Sequence, residues 1–284
     1  MNPLRRVAAI HDISGVGKCS LTVVLPIISA AGVECSAMPT AVLSTHTGGF
    51  DGVTYRDLTE DMRDIAEHWK KENIHFDAFY SGYLGSLSQI DIVRDIFEMF
   101  RTPETFFMVD PVMADNGALY SRFTLEHAKG MAKLCGHADA IIPNRTEAAF
   151  MLDREYKEGP MTQEEVDDLL YALAGLGSKQ VVLTGVCFGD DDIGAACYDA
   201  QTGRIDYIMD KRIEGVYHGT GDIFGSFLIG ALMQGQNLAE ATRIAVDCTS
   251  SAIGFTAIGG TSPRMGVRFE AVLAEYGKLF IGAG

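Results

Sequence analysis

The sequence predicts an α/β fold: a mainly parallel central sheet with helices on both faces and an antiparallel pair at one edge. Three observations carry this. Short β-type runs alternate with helical patterns through most of the chain, the signature of successive βαβ units. The 284 residues are 47% hydrophobic and 21% charged, enough apolar side chain for a sizeable core. No Pro- or Ser-rich linker, low-complexity tract or internal repeat divides the chain, so residues 1–284 read as one domain.

Taken in order, "RVAAIH" (6–11) is the first strand, followed by a helix over 18–31 and a strand "VECSAMP" over 33–39. A helix over 57–73, the strand "FDAFYSG" (76–82), a helix over 87–101 and the strand "FFMVD" (106–110) come next. Then follow a helix over 123–135, the strand "DAII" (139–142) and a helix over 145–153. The loop 154–165 ends in Thr162-Gln-Glu-Glu165, a capping box that opens a helix over 163–176. The strand "QVVLT" (180–184) leads through the polar tip "GDDDIG" to "IGAACYD" and "GRIDYIM", the antiparallel edge pair. Residues 222–280 read as three helices in succession.

A formal net charge of −15 without a Lys/Arg-rich block argues against nucleic acid and anionic membranes as partners. An anionic ligand remains compatible, because amides, a helix terminus and a metal ion can build a small positive site locally. Only four apolar residues follow the two N-terminal arginines, too few for a secretory signal core, and no apolar run approaches the roughly 20 residues of a membrane span. The six cysteines form no Cys-x-x-Cys pair, which points to reduced thiols in a cytoplasmic protein.

Ligands of such folds collect beyond the carboxyl ends of the strands, and polar residues cluster there. His11, Asp12 and Ser14 follow the first strand, Ser44–Thr47 the second, Tyr83 the third and Asp110 the fourth. Asn144 and Glu147 follow the fifth, and Thr184 the sixth. In "GVYHGTGDIFGSFLIGALMQG" (215–235) the segment Gly219-Thr220-Gly221-Asp222 heads an apolar helix; a bare backbone at a helix start can cradle an anion. Asp222 could equally be an ordinary N-cap. "GVGKCS" (15–20) lacks the leading glycine and final Ser/Thr of G-x-x-x-x-G-K-[ST], so it is not a Walker loop. Asp110 and Asp115 in "VDPVMADNG" suit a hydrated Mg²⁺. Asn144 and Glu147 fit N-cap and N3 of a capping box, a role compatible with holding metal-bound water. Tyr83, Thr47 and His46 suit a flat polar heteroaromatic, the first by packing and the others by hydrogen bonds to its edge.

Through "IHDISGVGKCS", "PTAVLSTHTGGF", "SGYLGS", "VDPVMADNGALY", "IIPNRTEAAFML", "VVLTG" and "HGTGDIFGSFLIGAL", the chain resembles the ribokinase-like superfamily, and within it the pyridoxal/pyridoxamine kinases, almost end to end. The resemblance implies a three-layer α/β/α kinase that uses ATP and Mg²⁺, with K⁺ as a further cation, to phosphorylate the 5′-hydroxyl of a B6 vitamer, usually as a homodimer. It makes Asp222 the catalytic base and the amides of Gly219, Thr220 and Gly221 an anion hole. Asp110 and Glu147 match Mg²⁺/phosphate positions, Asn144 and Thr184 nucleotide-phosphate contacts, and Thr47 and Tyr83 substrate-side positions. The chain departs from the family pattern at Thr45, usually Asn, and at Ile142, usually Thr. Its short strand-1 loop is similar to that of hydroxymethylpyrimidine kinases, which are the alternative; a non-catalytic pyridoxal-binding protein is the third reading.

Overall fold

Along β1 (Arg6–Ser14) neighbouring residues point to opposite faces: Val7 and Ala9 join one apolar cluster, Ala8 and Ile10 another. A strand buried on both faces needs a layer of helices on each side. The computed structural model describes residues 4–260 and 262–280. After β1 come α1 (Leu21–Ala30), β2 (Glu34–Leu43), β3 (Tyr55–Asp57), α2 (Thr59–Lys71), β4 (Ala78–Ser81), α3 (Leu87–Phe100) and β5 (Phe106–Val109). They are followed by β6 (Ala114–Asp115), β7 (Ala118–Leu119), α4 (Leu125–Cys135), β8 (Ala140–Ile141), α5 (Arg145–Met151) and α6 (Gln163–Ala174). The chain continues through β9 (Gln180–Val186), β10 (Asp192–Asp199), β11 (Arg204–Lys211), α7 (Thr220–Met233), α8 (Leu238–Ile258) and α9 (Leu273–Lys278).

Among the described residues the main sheet has nine strands in the order β11-β10-β9-β8-β5-β4-β1-β2-β3. The six strands from β9 to β2 are parallel, while β3 at one edge and β10–β11 at the other run antiparallel. The cluster on one face is built from α1, α7 and α8, and the cluster on the other from α2, α3, α4 and α6. Because β2 lies on one side of β1 and β4 on the other, the winding reverses at β1 and opens a crevice beyond the strand ends.

Four details differ from the expectation. β1 runs to Ser14 rather than 11, so His11 and Asp12 lie inside the strand, with a pairing irregularity against β2 between His11 and Ile13. α1 starts at Leu21 rather than 18, because Gly17, Lys18 and Ser20 take positive φ (110°, 59° and 57°) and form a turn instead of helix. Antiparallel strands close both edges, the extra one being β3 at the head of the expected 57–73 helix. The β6–β7 hairpin was unexpected, although its turn pair Asn116-Gly117 (φ 49° and 78°) is a strong sequence signal for a type I′ turn.

Candidate active site

The start of α7 is shaped by Gly219, which precedes its first turn with φ +80°. A methyl group there would sit 2.4 Å from the Lys18 carbonyl oxygen, so glycine alone lets the helix start lie against the 15–20 turn. The first-turn amides of a helix lack intrahelical partners, and Thr220, Gly221 and Asp222 supply them here. Gly221 is exposed, and a methyl on it would lie 3.9 Å from Asp110 Oδ2. The N-cap reading of Asp222 does not hold: Gly219 occupies that place, and Asp222 Oδ2 instead accepts the Ser20 N–H at 2.9 Å. Its side chain is only 13% exposed. Burial pushes the carboxyl up to about 7, the Ser20 N–H opposes this and the nearby Asp12 adds to it.

His11 Nδ1 lies 3.8 Å from Asp222 Oδ1. Complete burial lowers the His11 pKa to about 3, so the imidazole is neutral and this contact is not an ion pair. The ring stands edge-on to Tyr80 at 4.4 Å. Asp12 is buried beside them, with Oδ1 accepting the Ser20 hydroxyl at 2.5 Å and Oδ2 the Ser14 hydroxyl at 3.0 Å. Ser14, itself buried, thus supports Asp12. Desolvation raises the Asp12 pKa against these two hydroxyls.

The substrate-side candidates divide. Tyr83 is half-buried beside Phe123, at 5.5 Å between ring centres, and feels the charge of both Arg122 and Asp12. Thr47 is exposed in the loop after β2. His46 has both ring nitrogens engaged: Nδ1 accepts the Gly48 N–H at 3.0 Å, which leaves Nε2–H to donate to the Arg264 carbonyl at 2.7 Å. It pins its loop to the segment after α8, and the free edge expected of it for hydrogen-bonding a heteroaromatic is not present.

Asp110 and Glu147, from the end of β5 and the first turn of α5, are both buried. Desolvation raises the Asp110 carboxyl well above its usual range, and the charges of Glu147 and Asp222 raise it further. Burial pushes Glu147 up to about 7 although its oxygens accept the Met113 and Asn144 amides at 3.0 and 2.8 Å. The expected capping box is present: Asn144 Oδ1 accepts the Glu147 N–H at 2.9 Å, and its amide donates to the Ala114 carbonyl at 2.8 Å. These two bonds hold the corner and leave the second Nδ2–H of Asn144 free. Asp115 is not the partner of Asp110 that its spacing suggested; it is exposed and accepts from its neighbour Asn116. Thr184 on β9 forms a β-bridge with Asn144. Asn144, Asp115, Gly185 and Arg212 line a cavity of about 390 Å³. No local pattern marks Ser20, whose two hydrogen bonds go to acids eight and 202 positions away in the chain.

Residues 25–264 match the family model described as phosphomethylpyrimidine kinase. A Bacteroides thetaiotaomicron protein provisionally named a phosphomethylpyrimidine kinase is 40% identical, with a TM-score of 0.93 over 96% of this chain and 94% of that one. A second crystal form of that protein contains pyridoxal (TM-score 0.90, 96% of each chain). Pyridoxal kinase from Lactobacillus plantarum is 32% identical, with a TM-score of 0.89 over 97% of this chain and 98% of that one. Pyridoxal kinase from Leishmania donovani, in complex with ADP and pyridoxamine, shares the fold at 21% identity (TM-score 0.85, 96% and 95% coverage). The chain belongs to the pyridoxal kinase family of the ribokinase-like superfamily.

Proposed function

We propose that the protein is an ATP-dependent kinase that phosphorylates the 5′-hydroxyl of pyridoxal, pyridoxamine or pyridoxine in B6 salvage, giving the corresponding 5′-phosphate, which for pyridoxal is pyridoxal 5′-phosphate. The observation that carries this reading is Asp222: a buried carboxyl raised to about 7, at a helix start cleared of side chains by Gly219 and Gly221. A base with a pKa near working pH removes a hydroxyl proton more effectively than a surface carboxylate. Asp222 Oδ2 is held by Ser20, so Oδ1 takes the proton from the 5′-hydroxyl as that oxygen attacks the γ-phosphorus and ADP departs. The amides of Gly219, Thr220 and Gly221 face the negative charge of the transferring group, and phosphoryl transfer depends mainly on such positioning and electrostatics. Asp12 and Tyr83 hold the pyridine ring, with Thr47 at the rim.

Asp110 and Glu147 suit Mg²⁺, because both carboxyls are desolvated and the charge of Glu147 raises Asp110 further, a cost that a divalent cation would relieve. Both Glu147 oxygens already accept amides. Asp110 would therefore hold the ion directly and Glu147 would act through bound water, since Mg²⁺ commonly takes one or two carboxylates with waters and substrate phosphates. When bound, the ion neutralises phosphate oxygens. The buried side chain of Ile142 offers no oxygen to K⁺. The nucleotide lies toward Asn144, Thr184 and the adjoining cavity, which Asn144 and Gly185 help to line. We also read residues 1–284 as one domain that pairs as a homodimer in the cytoplasm. The described residues contain six free cysteines, and no helix among them is long and apolar enough to cross a membrane.

The names of the family model and of the Bacteroides relative favour hydroxymethylpyrimidine as a second substrate class. The pyridoxal in that relative's second crystal form favours the B6 reading. Purified protein with ATP and Mg²⁺ is to be given pyridoxal, pyridoxamine, pyridoxine, hydroxymethylpyrimidine and ribose. Turnover of at least one B6 vitamer above the other two classes is expected. Phosphorylation of hydroxymethylpyrimidine alone would replace the substrate, and vitamer binding without turnover would replace the kinase.

A further inference from the structure

Ser20 stands where a serine ordinarily caps a helix, immediately before α1, yet its side chain makes no capping hydrogen bond. The hydroxyl is turned the other way and donates to Asp12 Oδ1 at 2.5 Å, while the same residue's N–H donates to Asp222 Oδ2 at 2.9 Å. Both donors therefore go to carboxylates, one on β1 and one on α7. The backbone adopts φ 57° and ψ −135°, a conformation that residues with a Cβ rarely take. A non-glycine residue held there, with its cap forgone, is the kind of local strain that persists where the surroundings over-determine a conformation. The surroundings do so here: Ser20 bridges back to Ile13 on β1, and Gly219 at the head of α7 lies against Lys18 of the same turn. A purely structural helix start would be served better by the capping rotamer.

We propose that Ser20 is a positioning residue that fixes the separation of the base Asp222 from the ring-binding Asp12, by donating its N–H to one and its hydroxyl to the other. The inference rests on the roles given above to Asp222 and Asp12. The site must place the 5′-hydroxyl at Asp222 while the ring is held at Asp12, and a single residue bonded to both acids sets that distance without touching the substrate. Orientation of this kind contributes strongly to rate and is lost by small displacements. Ser14 supplies the second hydroxyl on Asp12 but has no link to Asp222, so it cannot do the same.

The test is Ser20→Gly, which retains the N–H, suits the positive φ and removes the hydroxymethyl side chain. We expect the KM for the preferred vitamer to rise about tenfold, the size expected for loss of one hydrogen bond to a charged group, with the KM for ATP unchanged within twofold. In an Asp12→Asn background the same change should add less than twofold, because the two substitutions remove one shared interaction. Ser20→Ala, with the same pattern expected, takes its place if glycine at the helix start prevents folding. Wild-type values in the variant, an equal rise in both KM values, or full additivity with Asp12→Asn would overturn the proposal. Asp222→Asn is run alongside: full turnover in that variant would instead overturn the catalytic reading on which the proposal rests.

Discussion

At the scale of single residues, the proposed base Asp222 is set by three effects on one carboxyl. Burial raises it, the Ser20 N–H holds it down, and Asp12 raises it again, leaving it at about 7. A base must be unprotonated to work, so kcat/KM should climb as pH rises through about 7 and level off above it. His11 does not contribute a second limb, being neutral with a pKa near 3. Asp222→Asn keeps the shape and removes the basicity; kcat should fall by roughly 10²–10⁴, with vitamer KM changed far less, as measured by steady-state kinetics. His46 shows the opposite lesson. Its position in "STHTGGF" suggested a ligand, yet hydrogen bonds to Gly48 and Arg264 occupy both ring nitrogens.

At the scale of elements, α7 is the part whose construction serves the site most directly. Its glycines act in two ways. Gly225 brings the helix onto β4, where a methyl group would lie 2.2 Å from the Tyr80 hydroxyl, and Gly219 turns the chain into the helix against Lys18. Gly219→Ala meets a left-handed φ and a 2.4 Å contact with backbone that cannot yield cheaply. It should cost about 1–3 kcal/mol of stability, seen as a lower midpoint in denaturant, and should also lower kcat by moving the first-turn amides. Capping boxes were legible in advance: Thr162 with Glu165 and Asn144 with Glu147 are local three-residue relations, and both are present. The start of α1 was not legible, because the positive φ of Lys18 and Ser20 is imposed by partners on β1 and α7.

Across the whole molecule, an acidic protein of net charge −15 holds four buried acids, Asp12, Asp110, Glu147 and Asp222, near the carboxyl ends of its parallel strands. Glu147 and Asp222 are raised to about 7, and Asp12 and Asp110 are shifted in the same direction. In the unfolded chain such groups titrate near 4. The native state therefore binds more protons between about pH 4 and 7, and the stability these groups contribute at low pH is lost as pH rises through their folded values. Thermal unfolding without metal or nucleotide should give a Tm that declines from pH 5 to pH 8. Asp110→Asn should raise Tm at pH 8 by removing one of the repelling charges, while abolishing turnover. A Tm at pH 8 unchanged or lowered by that substitution would contradict the electrostatic account of the pair.

Alternation of apolar runs with helical periods determined the α/β class, the strand sequence and most element boundaries, because those patterns are short-range and the core enforces them. The same reading singled out Asp222, Asp110, Glu147 and Tyr83 as candidates, since residues at parallel strand ends and bare helix starts have few structural reasons to be polar. Only the tertiary structure decided how they are used. It coupled Glu147 rather than Asp115 to Asp110, engaged His46 and Asn144 in structural bonds, and set Ser20 between two acids. Each of these depends on contacts between segments far apart in the chain, whose distance and desolvation no local pattern encodes.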